Sequence, residues 1–327
     1  MSQPSAVRAP SRWLVIAAFA AIYVIWGSSY IGNRIAIESI PPFMMSGGRM
    51  LFAGLLLIAY ARIQRVPMPT RLEWKNAVVL GAVLFMINNG AIIWAQAEGL
   101  PSGITSLMIA TVPMWIVLFG WWRTRQRPSW AVLIGVVVGF IGIALLLNPG
   151  EAGGFNPLVA LVVVGGAAAW SLGALLSKGL SQPASPILST GMQLTTGGGL
   201  LLLVGILIGE IGQLDVTAVQ PQSLLAALYL AIFSSCIGFT SFVWLMRVSS
   251  ADKVSTYAYV NPVVAVFLGW LMAGEALTPL TMFAAAIIIG AVFIINRGGQ
   301  VHMPRVVQRL LHRQVTPETV PGRAAAR

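Results

Sequence analysis

The sequence predicts an all-α polytopic membrane protein, with ten transmembrane helices built as two inverted five-helix repeats (5+5). Three observations predict it. Hydrophobic residues make up 57% of the 327-residue chain and charged residues 9%, against about 25% charged in ordinary soluble domains. Too few polar residues remain to cover a soluble fold. Ten apolar segments meet or approach the roughly 20 residues that a hydrocarbon core about 30 Å thick requires of a helix. The chain also repeats itself. Residues 101–121 read against 250–270 at an offset of 149, keeping Ser106/Ser255, Pro113/Pro262, Val117/Val266, Gly120/Gly269 and Trp121/Trp270. Each copy is fourth in a run of five segments. Five is odd, so the second run enters from the opposite face, an architecture of secondary transporters.

The basic residues set the expected orientation. With the N-terminus inside, 18 of the 20 Lys and Arg residues fall on inside segments or in the C-terminal tail. Arg34 falls outside, and Arg49 lies within a segment. The positive-inside rule then places both termini in the cytoplasm of a bacterial-type inner (plasma) membrane. The +11 balance is thus a topology signal. Basic residues dispersed over several loops give no reason for a nucleic-acid partner. The expected partners are the lipid bilayer and a small-molecule substrate, with a homodimer left open. The single cysteine, Cys236, excludes an internal disulfide and reads as a small packing residue. Both histidines, His302 and His312, lie in the tail, so no His/Cys metal cluster and no cofactor is expected. The first apolar stretch is too long for a cleavable signal and reads as a spanning helix.

The first segment, about 13–33, carries Tyr23, Trp26, Ser29, Tyr30 and Asn33 at helical spacing, on one face. Such a face turns to the bundle interior or to a water-filled cavity. The alternative is close helix packing at Gly27 and Ser29, with interfacial aromatics. The second, about 42–61, holds Arg49 beside Gly47 and Gly48. An intramembrane charge points to function; Arg49 holds a substrate carboxylate, snorkels outward or binds a neighbouring helix's carbonyls. The third, about 76–97, carries Asn88 and Asn89 near its middle. Their amides need partners at that depth, from substrate or from another helix. Glu98 closes this segment and is the best remaining carboxylate candidate for coupling, with a solvated end residue as the alternative. The fourth, about 101–121, contains Pro113, and the fifth spans about 129–147. The Gly- and Pro-rich stretch 148–157 divides the chain into a first half, 13–147, and a second, 158–296.

The sixth segment, about 158–177, places Trp170-Ser171-Leu172 opposite Trp26-Gly27-Ser28 at an offset of 144, which also relates Arg34 to Lys178. Inversion puts Arg34 and Lys178 at opposite faces, as gate residues or as cations favoured near helix C-termini. The seventh spans about 187–208. The eighth, about 222–246, has Ser234, Ser235 and Cys236 near the midplane, with Thr240 and Trp244 further in. The ninth, about 253–273, sets Tyr257, Tyr259 and Asn261 around Pro262. A mid-helix proline lacks a donor and clashes with the carbonyl four residues back. It should free the carbonyls of Ile109 and Ala258. The repeated placement marks Pro113 and Pro262 as hinges, with permanent kinks as the alternative. The tenth spans about 278–296. The basic cytoplasmic tail 297–327 places Val306, Val307, Leu310 and Leu311 on one helical face. It lies on an anionic leaflet or stays solvated.

Several motifs resemble EamA-type members of the drug/metabolite transporter superfamily. They are Tyr-Val-Ile-Trp-Gly-Ser-Ser-Tyr at 23–30, Pro-Pro-Phe-Met-Met-Ser-Gly-Gly-Arg at 41–49, Leu-Pro-Ser-Gly-Ile at 100–104 and Gly-Glu-Ala-Leu-Thr at 274–278. The resemblance covers about 13–296 as two tandem repeats, and is strongest to the YedA-like branch. It implies a 5+5 bundle with a central cavity lined mainly by helices 1, 3, 4, 6, 8 and 9. It also implies movement of small metabolites or drugs, often outward. The tail beyond 297 lies outside the family pattern.

The residues that are missing narrow the function. No Asp or Glu occupies the middle of a segment, so no buried carboxylate relay is evident. No Walker sequence is present, so there is no ATP motor. An intramembrane enzyme would want embedded acid–base groups. A passive channel or facilitator, the alternative reading, would want charged rings or a carbonyl filter. The expectation is a secondary carrier working by alternating access. It exports small amphipathic metabolites, amino-acid-like compounds or drugs. The expected cavity comprises Tyr23, Trp26, Ser29, Asn33, Asn88, Asn89, Trp170, Thr240, Trp244, Tyr257, Tyr259 and Asn261.

Overall fold

A computed structural model describes residues 11–147, 155–249, 251–254 and 256–298. Most of the 148–157 link and the tail beyond 298 lie outside the described residues. Helices are the only regular elements among those described. They are α1 (Arg12–Ala36), α2 (Pro42–Ile63), α3 (Arg71–Ala97), α4 (Ser102–Thr124), α5 (Trp130–Leu146), α6 (Pro157–Ser177), α7 (Pro186–Leu207), α8 (Pro221–Met246), α9 (Tyr257–Ala273) and α10 (Pro279–Gly298). Eight are long and apolar enough to cross a membrane; α5 and α9 are shorter apolar helices of 17 residues each. At 1.5 Å per residue those two are about 25 Å long, near the lower limit for a span.

Local chemistry sets the starts. Proline opens α2, α6, α7 and α8, where its missing N–H costs nothing. Helix α3 begins at Arg71, five residues before the expected 76. Thr70 and Glu73 form a reciprocal capping box there, satisfying two orphan donors. Arg71 and Lys75 therefore ride the first turns of a helix, where the sequence suggested a loop across 62–75.

Three helices depart from regular α geometry. A π-helical segment interrupts α3 at Gly81–Ile87 and another interrupts α8 at Leu230–Gly238. The two begin 149 residues apart, the offset already seen in the motif repeat. In α4 the chain breaks at Ala110 and Thr111, between Ser102–Ile109 and Val112–Thr124. Pro113 thus sits in the first turn of the second half-helix, which corrects its expected mid-helix place. Proline fits there because no donor is needed. Pro262 does lie inside a helix, α9, but the interruption comes earlier. A short turn, Ala251–Val254, precedes α9, which starts at Tyr257.

The closest crossings rest on glycine. Helices α2 and α7 meet through Gly47, Gly54, Gly191 and Gly198. A Cβ on Gly54 would stand 2.5 Å from the Thr195 nitrogen, and one on Gly198 2.5 Å from the Leu51 nitrogen. Only residues without side chains permit that approach, a feature of membrane helix interfaces. Helix α5 packs on α10 through Gly135 and Gly142, and Gly139 makes room for the Met114 side chain of α4. Between these pairs, α1 packs on α8 and α9, and α6 on α3 and α4. Leu55, Trp122, Ile134, Leu207 and Phe283 stand exposed on the outer surface, as a lipid-facing belt requires.

Candidate substrate cavity

A central cavity of about 800 Å³ of empty space, its open side included, lies among seven helices. Helix α1 contributes Trp26, Ser29, Tyr30 and Asn33; α2 contributes Arg49 and Met50; α3 contributes Asn88, Asn89 and Ile92. Helix α4 contributes Ser106 and Ile109 before its break, Ala110 at it and Val112 just after it. Trp170 comes from α6, Ser234 and Phe239 from α8, and Tyr257, Ala258, Asn261 and Pro262 from α9. The irregular backbone is concentrated here. Asn88 directly follows one π segment, and Ser234 lies within the other. Such bulges insert a residue and re-aim side chains, frequently at functional sites.

The floor of the cavity is aromatic. The Trp26 ring meets Phe239 at 5.0 Å and Tyr257 at 5.4 Å, both edge-on, and Trp170 meets Phe239 at 6.0 Å. The Trp26 indole donates to the Ser234 carbonyl at 3.3 Å, so this buried N–H is satisfied. Ser171 donates to the Val112 carbonyl at 2.9 Å, next to the break in α4. Asn261 ties α9 to α1. With its amide nitrogen facing them, it donates to the Ile22 and Tyr23 carbonyls, each 3.3 Å away.

The polar wall is less complete. Arg49 is 8% exposed, and its Nη1 donates to Ser235 Oγ at 3.0 Å. Its Nε has no partner among the described residues, nor do the side-chain oxygens of the buried Asn33 and Asn88. Among the described residues no Asp or Glu lines the cavity.

Eight of the twelve residues expected to line a cavity do line this one. Tyr23, Thr240, Trp244 and Tyr259 do not. The Tyr23 hydroxyl bonds that of Thr256. Tyr23 and Trp244 pack on Ala18, Ile22, Leu245 and Val254, a layer nearer the start of α1. Thr240 is half-buried one position beyond Phe239. Tyr259 packs against Met114, Val132 and Val136; two residues from Tyr257, it points to a different side of the helix. Pro262 borders the cavity and Pro113 does not. Arg49 reaches it from α2, a helix outside the set the resemblance implied. Arg34 lies in the last turn of α1, and Lys178 and Glu98 are exposed at the C-terminal caps of α6 and α3. None of these three lines the cavity.

Two carboxylates that the sequence reading left unused hold helices together. Glu275, after α9, accepts from the backbone nitrogens of Ser102 at 2.6 Å and Gly103 at 3.0 Å. Glu210, after α7, accepts from Phe43 at 3.1 Å and Met44 at 2.8 Å. Each satisfies orphan donors at a helix N-terminus in the other half of the chain. A signal was present: both follow a glycine just past an apolar segment, and Gly209 and Gly274 have φ of 88° and 62°. That left-handed turn suits glycine. Among the described residues no group of three His, Cys, Asp or Glu could hold a metal ion.

The EamA-like transporter family matches the chain twice, over residues 12–148 and 157–297. The chain belongs to this family. It is 33% identical over 281 residues to the uncharacterized inner membrane transporter YedA of Escherichia coli (strain K12), covering 85% of this chain and 89% of that one. It is 25% identical over 289 residues to the uncharacterized transporter YvbV of Bacillus subtilis (strain 168), covering 88% and 92%. A crystal structure of another protein superposes with a TM-score of 0.60 at 21% identity, covering 87% of this chain and 98% of that one. That likeness speaks for the fold. The chain is thus a multi-pass membrane protein of a transporter family.

Proposed function

We propose that this protein is a secondary carrier of the inner membrane, moving small amphipathic solutes outward by alternating access. The observation that carries the reading is one cavity built from both halves of the chain. Trp26 and Trp170 face into it from positions 144 residues apart. Two π segments begin 149 residues apart; Ser234 of the second lines the cavity, as does Asn88, directly after the first. Ten crossings in a 5+5 inverted arrangement, with both termini cytoplasmic, fit that relation and the distribution of basic residues. The YedA relative's name supports the inner membrane. Packing supports closure at one end. The first half of α4 lies on α9, where a Cβ on Gly103 would stand 3.1 Å from the Val266 Cα, and Glu275 clasps that same start of α4. The neutral, aromatic lining suits amphipathic solutes, including amino-acid-like compounds and drugs, better than multiply charged ones.

The test is counterflow in proteoliposomes holding the full chain. Candidate solutes are chosen from metabolites that accumulate in the medium of overproducing cells and decline when the gene is deleted. Saturable uptake accelerated by the same solute inside the vesicle is expected. Linear, non-saturable flux without acceleration would mean a passive facilitator and overturn the carrier reading.

A further inference from the structure

We infer that Arg49 anchors a carboxylate in the central cavity, so that the solute is a small organic monocarboxylate with an aromatic or apolar body. The inference deepens the carrier reading and rests on it. Among the described residues, Arg49 is the one charged group lining the cavity, and no acidic residue lines it in answer. A guanidinium at membrane depth is costly unless paired. Here the chain offers a single neutral hydroxyl, Ser235 Oγ, to one of five N–H donors. Nε is left without a partner among the described residues, on a side chain more than nine-tenths buried. A carboxylate matches the guanidinium fork, taking two parallel hydrogen bonds and cancelling the charge.

The neighbours decide the rest of the solute. Ser235 follows Ser234, whose carbonyl holds the Trp26 indole. The cation and the aromatic floor of Trp26, Phe239 and Tyr257 are therefore adjacent. A ligand spanning both keeps its carboxylate within a few bonds of its apolar body. Only one cation is present, so a dicarboxylate or phosphate would bring uncompensated charge, and an amine would meet a like charge. The buried amide oxygens of Asn33 and Asn88, also unpartnered, can accept a hydroxyl or N–H of the same ligand.

The test measures thermal unfolding of the purified full chain titrated with 3-phenylpropionate, its neutral amide and 3-phenylpropylamine. The acid should bind about tenfold or more tightly than the amide, the difference a charge-assisted pair supplies, and the amine should not stabilise. Arg49→Gln should abolish the preference for the acid, and Arg49→Lys, which keeps charge but loses the fork, should retain part of it. Equal stabilisation by acid and amide, none by the acid, or a preference that survives Arg49→Gln would overturn the assignment. The acid–amide comparison in the unaltered chain decides alone if the variants do not fold. Counterflow separates the two readings. Acid bound at Arg49 without exchange sinks the carrier and keeps the site. Exchange of a neutral or cationic solute indifferent to Arg49 does the reverse.

Discussion

Removing the Glu275 carboxylate should loosen one end of the cavity by a calculable amount. Its two oxygens accept backbone N–H groups at 2.6 and 3.0 Å, both in the first turn of α4. A hydrogen bond to a charged group contributes about 1.5–3 kcal/mol net. Glu275 is only half-buried, so water screens the pair and the lower end applies, about 2–3 kcal/mol for both bonds together. Since about 1.4 kcal/mol is tenfold in an equilibrium, Glu275→Ala should raise the fraction of molecules open at that end roughly 30- to 140-fold. Glu275→Gln, which keeps an acceptor but no charge, should fall between. The assay is the rate at which a polar maleimide modifies a single cysteine at Ala110, which lines the cavity, on a Cys236→Ser background. Hydrogen exchange at the Ser102 and Gly103 amides gives a second reading. An unchanged rate in both variants would refute the idea that this clasp holds the end shut. Glu210 supplies the contrast. It clasps α2, which is locked to α7 through glycines, and it is 4% exposed. Glu210→Ala should therefore lower the unfolding temperature with little change in labelling.

Other expectations follow from the same geometry. Gly198→Ala must push apart two backbones, because its Cβ would stand 2.5 Å from the Leu51 nitrogen. It should cost about 1–3 kcal/mol, seen as a lower unfolding midpoint, whereas Gly48→Ala, with nothing within 4 Å, should be neutral. Pro262→Ala and Pro113→Ala should leave insertion and substrate binding intact but slow exchange between the two open states; unchanged exchange in both and in the double variant would make the prolines structural kinks. Reporter fusions between 148 and 157 should read as external and fusions after Arg297 as internal. An external C-terminus would discard the ten-crossing topology.

Much of the fold was legible because lipid leaves the backbone few options. Each crossing must be an apolar helix, and the eight long apolar helices and two shorter ones lie within a few residues of the ten apolar segments. The α1 face was legible for a related reason: polar and aromatic residues at helical spacing need a common interior, and Trp26, Ser29 and Asn33 share one. What escaped depends on contacts between distant parts of the chain. No local residue pattern encodes a π segment, so Asn88 stood out only as an amide at membrane depth, and the place of Ser234 in the cavity wall could be found only from three dimensions. Tyr257 and Tyr259 looked alike in the sequence, and only the packing of α9 shows that Tyr257 lines the cavity and Tyr259 does not. The glycines of α2 and α7 were visible singly, but their pairing was not. The repeat itself hides a difference that matters for the Glu275 test. The offset of 149 relates Gly274 and Glu275 to Arg125 and Gln126. Arg125 adopts the same left-handed turn as Gly274, with φ of 56° against 62°. The turn is thus kept in both halves, while the residue after it is a carboxylate in one and an exposed, neutral glutamine in the other. A charge lost at Glu275 has no repeat-related carboxylate to offset it, so a single substitution can bias the cavity toward one side.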